Sequence, residues 1–260
     1  MTLTLTLFVG SGQALATEIL VAAAADLNFA IKDIIDEFEQ KTGHRVKLSL
    51  GSSGNFYSQI ANGAPFELFF SADIDFPRKL EEARLTVPNT IVPYAVGRLV
   101  LWVTKESPID VEKQGINALL DPSIKKIAIA NPKHAPYGRA AVTALKHFGL
   151  YDRVEAKFVF GENIAQTAQF VQSGNVDIGI IALSLAVAPS LREAGRFWEI
   201  PLTAYPRLEQ GAVILETARK NGTFDAVKQF VDWVTAPPGQ AILKRYGFSM
   251  PGQERFPGKE

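Results

Sequence analysis

Residues 49–55 read SLGSSGN, a pattern typical of a turn between a strand and a helix. It begins like a β-strand, breaks at Gly51 and continues as a short helix. Ser52, Ser53 and Asn55 are all favourable helix N-cap residues, and glycine accepts turn conformations that other residues resist. A helix start also leaves backbone N–H groups without intrahelical acceptors. Such a loop suits an oxyanion, although an ordinary capped turn has the same sequence pattern.

The composition indicates an ordinary globular protein. Of the 260 residues, 47% are hydrophobic, and 27 basic side chains balance 27 acidic ones. This size allows one large domain or two of moderate size. The zero net charge argues against a nucleic-acid partner, because no basic excess is available to neutralise phosphates. The absence of cysteine excludes disulfides, thiolate metal sites and cysteine nucleophiles.

The N-terminal residues have the pattern of a secretory signal. Residues 3–9 are apolar apart from threonines, and residues 14–16 read Ala-Leu-Ala, an A-x-A cleavage pattern. We therefore expect residues 1–16 to be a signal peptide, cleaved after Ala16, and the mature protein to be periplasmic. The pattern departs from the usual one because no Lys or Arg precedes the apolar run, and this run is too short to span a bilayer.

Predicted strands and helices alternate through the rest of the chain. Residues 19–25 form an apolar strand, after which Asp26 is predicted to open a helix with one apolar face. This alternation predicts an α/β fold with mainly parallel sheets and helices on both faces. The long run 91–104, interrupted at Pro93 and Gly97, suits a crossing between two lobes. We predict lobe 1 at residues 17–96 plus 206–260 and lobe 2 at residues 97–205.

Four strand-to-helix or loop-to-helix junctions are expected to face the cleft between these lobes, because ligands of such sheets bind at the carboxyl ends of the strands. The junctions are Ala25-Asp26, Ser52-Ser53, residues 136–138 and Asn163-Ile164. Uncharged hydroxyl and N–H groups can hold a buried dianion when enough of them converge. They also permit release, since no unpaired counter-charge remains when the anion leaves.

Several motifs occur in the order of a known family. They are VAAAADL at 21–27, GSSG at 51–54, QI and GAP within 59–65, LFFSAD at 68–73, NPKHAPYG at 131–138 and RYGF at 245–248. Together they resemble the periplasmic molybdate-binding proteins of bacterial molybdate ABC transporters. The resemblance implies a two-lobed type II periplasmic binding fold, with mixed, mainly parallel sheets, that closes on molybdate or tungstate for delivery to a membrane permease.

The same resemblance implies a non-enzymatic, monomeric protein without a cofactor, in which molybdenum occurs only as the bound oxyanion. Ser53 matches a loop serine that holds one anion oxygen with its hydroxyl and N–H groups. Ile164 matches an aliphatic residue that donates its N–H group. Tyr137 matches a tyrosine whose hydroxyl contacts the anion, since Ala182 stands where other members carry that tyrosine. Ser52 is an additional candidate, and its alternative role is turn geometry.

Asp26 departs from the family pattern, in which serine or asparagine stands at this position. A carboxylate beside a dianion is unfavourable. We therefore expect the Asp26 side chain to cap its own helix, while the backbone N–H groups of Ala25 and Asp26 face the anion.

The sequence leaves three alternative functions. A serine hydrolase would pair Ser53 with His134 or His147, but no G-x-S-x-G motif surrounds Ser53. The sensor half of a transcription regulator would need a helix-turn-helix or basic segment, and none precedes the lobes. Within binding proteins, sulfate or another tetrahedral oxyanion is the alternative ligand, and pocket size would separate the two.

Overall fold

The structure is a computed structural model that describes residues 16–253. Residues 1–15, which carry most of the predicted signal peptide, lie outside this range. Within it, the strands are β1 Glu18–Ala24, β2 Arg45–Gly51, β3 Leu68–Ser71, β4 Val92–Gly97, β5 Leu99–Thr104, β6 Ile127–Ala130, β7 Phe158–Gly161, β8 Ile178–Ala182, β9 Gly195–Glu199 and β10 Leu208–Ile214. The helices are α1 Ala30–Thr42, α2 Ser53–Ala61, α3 Asp75–Glu82, α4 Val111–Gln114, α5 Pro136–His147, α6 Tyr151–Val154, α7 Ile164–Gln172, α8 Leu183–Ala186, α9 Pro189–Ala194, α10 Glu216–Lys220, α11 Phe224–Thr235 and α12 Pro237–Arg245.

The strands form two five-stranded sheets, one in each lobe. The sheet of lobe 1 has the order β2-β1-β3-β10-β4, and the sheet of lobe 2 has the order β7-β6-β8-β5-β9. In each sheet two neighbouring pairs are parallel and two are antiparallel. The sheets are therefore mixed, with as many antiparallel pairs as parallel ones rather than mainly parallel. The antiparallel pairs arise because β4, β5, β9 and β10 flank the two places where the chain crosses between sheets.

Successive side chains of the central strands pack on opposite faces of the first sheet. Val21 and Ala23 of β1 join the cluster with Phe38 of α1 and Phe230 of α11. Ala22, between them in sequence, packs on the other face with residues of α2 and α3. Because alternate strand residues point to opposite faces, an unbroken apolar strand is buried on both sides. The apolar run of β1 is explained by this burial.

The first crossing between the lobes is a break rather than one long strand. β4 ends at Gly97 in the first sheet and β5 begins at Leu99 in the second, with Arg98 as the link. A Cβ atom at Gly97 would lie 2.0 Å from the Tyr137 hydroxyl oxygen, so only glycine fits this crossing. The exact lobe boundaries, at residues 97 and 206, remain a prediction from the sequence.

Asp26 does not begin a long helix. Residues Ala25–Leu27 form a single 3-10 turn, and α1 starts later, at Ala30. The Asp26 side chain makes no capping hydrogen bond to either element. The expectation that it caps its own helix is wrong, and the reason lies in its long-range partners, described below. No helix within residues 16–253 is long and apolar enough to cross a membrane.

Candidate functional site

All six residues predicted for the site line one small cavity between the two lobes. The lining consists of Ala24, Ala25, Asp26, Gly51, Ser52, Ser53, Ala72, Ala135, Pro136, Tyr137 and Ile164. Lobe 1 contributes the ends of β1 and β2 and the start of α2, and lobe 2 contributes the starts of α5 and α7. The four junctions are thus gathered around a common space.

Ser52 and Ser53, at the start of α2, make different hydrogen bonds. Ser52 is the N-cap, with extended backbone and an Oγ that accepts from the Asn55 N–H group at 3.4 Å. Ser53 is fully buried, and its Oγ accepts from the Ala72 N–H group at 2.9 Å. Its hydroxyl hydrogen is therefore available to another acceptor. Its backbone N–H group, at the first position of the helix, has no acceptor among the described residues.

Two further helices point their N-termini at the cavity from lobe 2. Asn163 caps α7 by accepting from the Gln166 N–H group at 2.9 Å, which leaves Ile164 as the first helical residue. The N–H group of Ile164 likewise has no acceptor within residues 16–253. α5 begins with Pro136, a residue favoured at the first helical position. Helix N-termini carry partial positive charge, which favours an anion between them.

The carboxyl group of Asp26 lies in a buried hydrogen-bond network rather than at a helix end. Asp26 is 1% exposed. Its Oδ2 accepts from the Tyr137 hydroxyl at 3.0 Å and from Gln210 Nε2 at 2.6 Å. Its Oδ1 is buried and has no hydrogen-bond partner among the described residues. The hydroxyl hydrogen of Tyr137, predicted as a donor to the anion, is directed at Asp26 in this structure.

Gln210 completes the network and was missed by the sequence analysis. It is fully buried on β10, and its Oε1 accepts from the Tyr94 hydroxyl at 2.6 Å. Its Nε2 also lies 3.2 Å from the Tyr137 hydroxyl. The sequence does contain a signal for it: Gln210 directly precedes the apolar run 211–214 of a strand, which indicates that its side chain is buried. A buried amide needs hydrogen-bond partners, so such a glutamine is a candidate for a polar network.

Burial controls the ionisation of this cluster. It raises the pKa of Asp26 to about 6, and the hydrogen bonds from Gln210 and Tyr137 partly oppose this rise. Burial and the nearby Asp26 charge raise the pKa of Tyr137 and of Tyr94 well above the usual value, so both phenols remain protonated donors. The network therefore contains one group, Asp26, that titrates near neutral pH.

Direct contacts hold the lobes together around the cavity. The Gly54 N–H group donates to the His134 carbonyl oxygen at 2.9 Å, and a Cβ atom at position 54 would lie 2.5 Å from that oxygen. Ser52 Oγ lies 2.8 Å from His134 Nδ1, and Arg139 pairs with Asp73 at 2.6 Å. These bonds define a closed arrangement of the lobes.

The contacts do not form the arrangement that a serine hydrolase would need. His134 contacts Ser52 rather than Ser53, and His147 is exposed on α5. No histidine among the described residues hydrogen-bonds to Ser53, whose Oγ accepts from a backbone N–H group. Within residues 16–253, no cluster of three His, Asp or Glu side chains is placed to hold a metal ion. The site offers hydrogen-bond donors, which suit binding of an anion.

The fold and the donor-lined cleft define a class of transport-associated binding proteins, and the similarity of the sequence to known proteins agrees with this class. The sequence profile of the bacterial extracellular solute-binding protein family matches residues 19–249, and the chain belongs to this family. The predicted two-lobed binding-protein fold is confirmed.

Within this family, the chain is similar to several molybdate-binding proteins. The chain is 43% identical to the molybdate-binding protein ModA of Azotobacter vinelandii over 235 residues, which cover 90% of this chain and 91% of that protein. It is 38% identical to the molybdate-binding protein ModA of Rhodobacter capsulatus over 235 residues, covering 90% and 89%. The solved structure of an Azotobacter vinelandii periplasmic molybdate-binding protein has a TM-score of 0.82 at 35% identity, covering 90% and 99%. These relatives are binding proteins, not enzymes.

Proposed function

We propose that this protein binds molybdate in the cavity between its lobes and delivers it to the permease of an ABC transporter. One observation carries the proposal: uncharged donors from both lobes line the same buried cavity. The names of the relatives support molybdate as the ligand. Tungstate has the same charge and tetrahedral shape, and we expect it to bind as well.

The proposed ligand contacts are the Ser53 hydroxyl and the N–H groups of Ala25, Asp26, Ser53 and Ile164. Hydrogen bonds to a charged group contribute roughly 1.5–3 kcal/mol each. Tyr137 adds its hydroxyl by turning from Asp26 to the anion, while Gln210 Nε2 remains on Asp26 Oδ2. Ser52 shapes the turn and reaches the other lobe through His134. The contacts are made to the oxyanion's oxygens, so molybdenum is transported cargo and no resident cofactor is involved.

Closure of the lobes links binding to delivery. The anion needs donors from α2 in lobe 1 and from α7 in lobe 2, so it favours the arrangement in which Gly54 contacts His134. A permease that recognises this closed form would engage the loaded protein. We infer that the protein acts as a periplasmic monomer, with residues 17–96 plus 206–260 and residues 97–205 as its lobes, after cleavage following Ala16.

Calorimetric titration with molybdate, tungstate, sulfate and phosphate, side by side at pH 7, tests the proposal. We expect tight one-to-one binding of the first two anions and none of the last two. Binding of sulfate with equal affinity would favour the general tetrahedral-oxyanion alternative. Absence of binding to all four anions would overturn the proposed function.

A further inference from the structure

The two oxygens of the Asp26 carboxyl group have very different environments. Oδ2 accepts two hydrogen bonds, from Tyr137 and Gln210, whereas Oδ1 is buried with no partner among the described residues. The backbone N–H groups of Asp26 and Leu27 are near enough to lower the pKa of the carboxyl group, but neither makes a well-directed bond to Oδ1. Buried carboxyl oxygens normally have partners. Asp26 lines the cavity, so its Oδ1 is a buried acceptor of that cavity that lacks a hydrogen-bond donor.

The groups packed around Asp26 supply no positive charge. Tyr137 faces it from α5, and Gln210 faces it from β10, with Tyr94 of β4 behind Gln210. Ser184 of α8 donates to its backbone carbonyl oxygen at 2.7 Å. No Lys, Arg or His among the described residues pairs with its carboxyl group. The one imidazole near the cavity, that of His134, contacts Ser52 and lies 3.5 Å from Glu162.

A doubly charged anion beside an ionised Asp26 would place three negative charges in a buried site without a cation. Burial of unpaired like charges is strongly unfavourable, and a titratable group in that position takes up a proton instead. A proton on this carboxyl group would both remove its charge and convert Oδ1 into a donor.

We propose that the site binds its oxyanion together with one proton, held between Asp26 Oδ1 and an oxygen of the anion. This inference rests on the proposed function and deepens it. One proton from solvent joins the complex, and no other covalent bond forms or breaks. The complex has the same composition whether the proton arrives on Asp26 or on the anion. Asp26 thereby contributes a charge-assisted hydrogen bond to the bound anion instead of repelling it.

The proposal gives the affinity a definite dependence on pH. In the closed site burial gives Asp26 a pKa of about 6, and the negative charge of the bound anion raises this pKa further. Above pH 6 the free carboxyl group is ionised, so each binding event takes up close to one proton. The affinity then falls about tenfold for each unit of pH rise until the pKa of the complex is reached. At lower pH the unliganded carboxyl group is itself protonated, and proton uptake on binding declines towards zero.

Titration calorimetry with sodium molybdate at pH 8, in two buffers of different ionisation enthalpy, counts the protons. We expect an uptake near one for the unmodified protein and near zero for Asp26→Asn, whose affinity should become independent of pH between about 6.5 and 8.5. Asp26→Ser provides a second variant in case the first folds poorly.

Two control variants locate the proton. His134→Gln removes the imidazole near the cavity, which is another side chain able to take up a proton. Glu67→Gln alters a buried carboxyl group of lobe 1 whose two oxygens are both hydrogen-bonded. We expect both controls to retain an uptake near one.

The outcomes separate this inference from the proposed function. Molybdate binding with zero proton uptake by the unmodified protein would overturn the inference and leave the proposed function intact. Uptake that persists in Asp26→Asn but disappears in His134→Gln would assign the proton to the imidazole and also overturn it. Absence of molybdate binding by the unmodified protein would remove the proposed function itself.

Discussion

Asp26 and Glu67 are both buried carboxylates of lobe 1, 1% and 2% exposed, yet their surroundings differ. Glu67 Oε2 accepts from the Leu20 N–H group at 2.8 Å, and Oε1 accepts from Asn221 and Thr223 at 2.8 Å each. Asp26 has both of its donors on Oδ2 and none on Oδ1.

The carboxyl groups of Glu67 and Asp26 therefore have different roles, one in the fold and one in the cleft. All donors to Glu67 belong to lobe 1, so its bonds tie β1 to the segment between α10 and α11. One donor to Asp26 is Tyr137 of lobe 2, so this bond depends on closure. A fully bonded carboxylate stabilises the fold, whereas a partly bonded one at a cleft leaves an oxygen for a ligand.

Glu67→Leu should cause the largest loss of stability. It leaves three donors without their acceptor: the Leu20 N–H group and the Thr223 hydroxyl are part-buried, and the Asn221 amide is exposed. A buried donor left unpaired costs roughly 1–3 kcal/mol, so we expect the two part-buried donors to lower the free energy of unfolding by about 2–6 kcal/mol. Urea denaturation measures this change. Glu37→Leu, on the exposed face of α1, is the control and should change stability by less than about 0.5 kcal/mol. A loss below about 1 kcal/mol for Glu67→Leu would show that its bonds do little for the fold.

Asp26→Asn should increase the free energy of unfolding, in contrast to Glu67→Leu. Its folded-state pKa of about 6 lies above the ordinary 3.8, so ionisation opposes folding as pH rises from about 4 to 6. Removing the charge should raise the free energy of unfolding by up to about 3 kcal/mol at pH 7, since each pKa unit corresponds to about 1.4 kcal/mol. The gain should disappear near pH 4. Urea denaturation at both pH values measures it, and an equal gain at both would contradict the assignment.

Ser53→Ala tests an intermediate case, a buried hydroxyl whose oxygen has a partner and whose hydrogen does not. Loss of one hydrogen bond to a charged group, roughly 1.5–3 kcal/mol, should weaken molybdate binding about 10- to 150-fold. Calorimetric titration measures the change. Ser58→Ala, on the exposed side of the same helix, should leave the affinity unaltered. Equal affinities for both variants would remove Ser53 from the proposed site.

Arg139→Gln should have the smallest effect. The pair of Arg139 with Asp73 joins the lobes, but its side chains are 41% and 28% exposed. Solvent-exposed ion pairs contribute about 0.2–1 kcal/mol and are screened by salt. We expect at most a fivefold loss of molybdate affinity at low salt and less at high salt. A loss as large as that of Ser53→Ala would mean that this pair contributes to closure as strongly as a direct ligand contact.

Local features of the molecule could be predicted from the sequence. Ser52 and Asn163 are N-caps because a short polar side chain can reach the N–H groups of the following turn, which requires only neighbouring residues. The apolar runs of the strands and the loop at 51–54 likewise record local burial and turn geometry. The ordered motifs indicated the family, and hence the two-lobed fold.

Long-range partners could not be predicted in this way. Asp26 and Gln210 are 184 positions apart in the chain, and Asp26 and Tyr137 are 111 apart. A residue pattern shows that a side chain is polar, but not which distant donor the folded chain brings to it. The pKa of Asp26 depends on that packing, because burial and not residue type raises it. Local sequence patterns are enough to predict the corners of the cleft, whereas the unpaired oxygen of the Asp26 carboxyl group follows from the packing of distant segments in the folded chain.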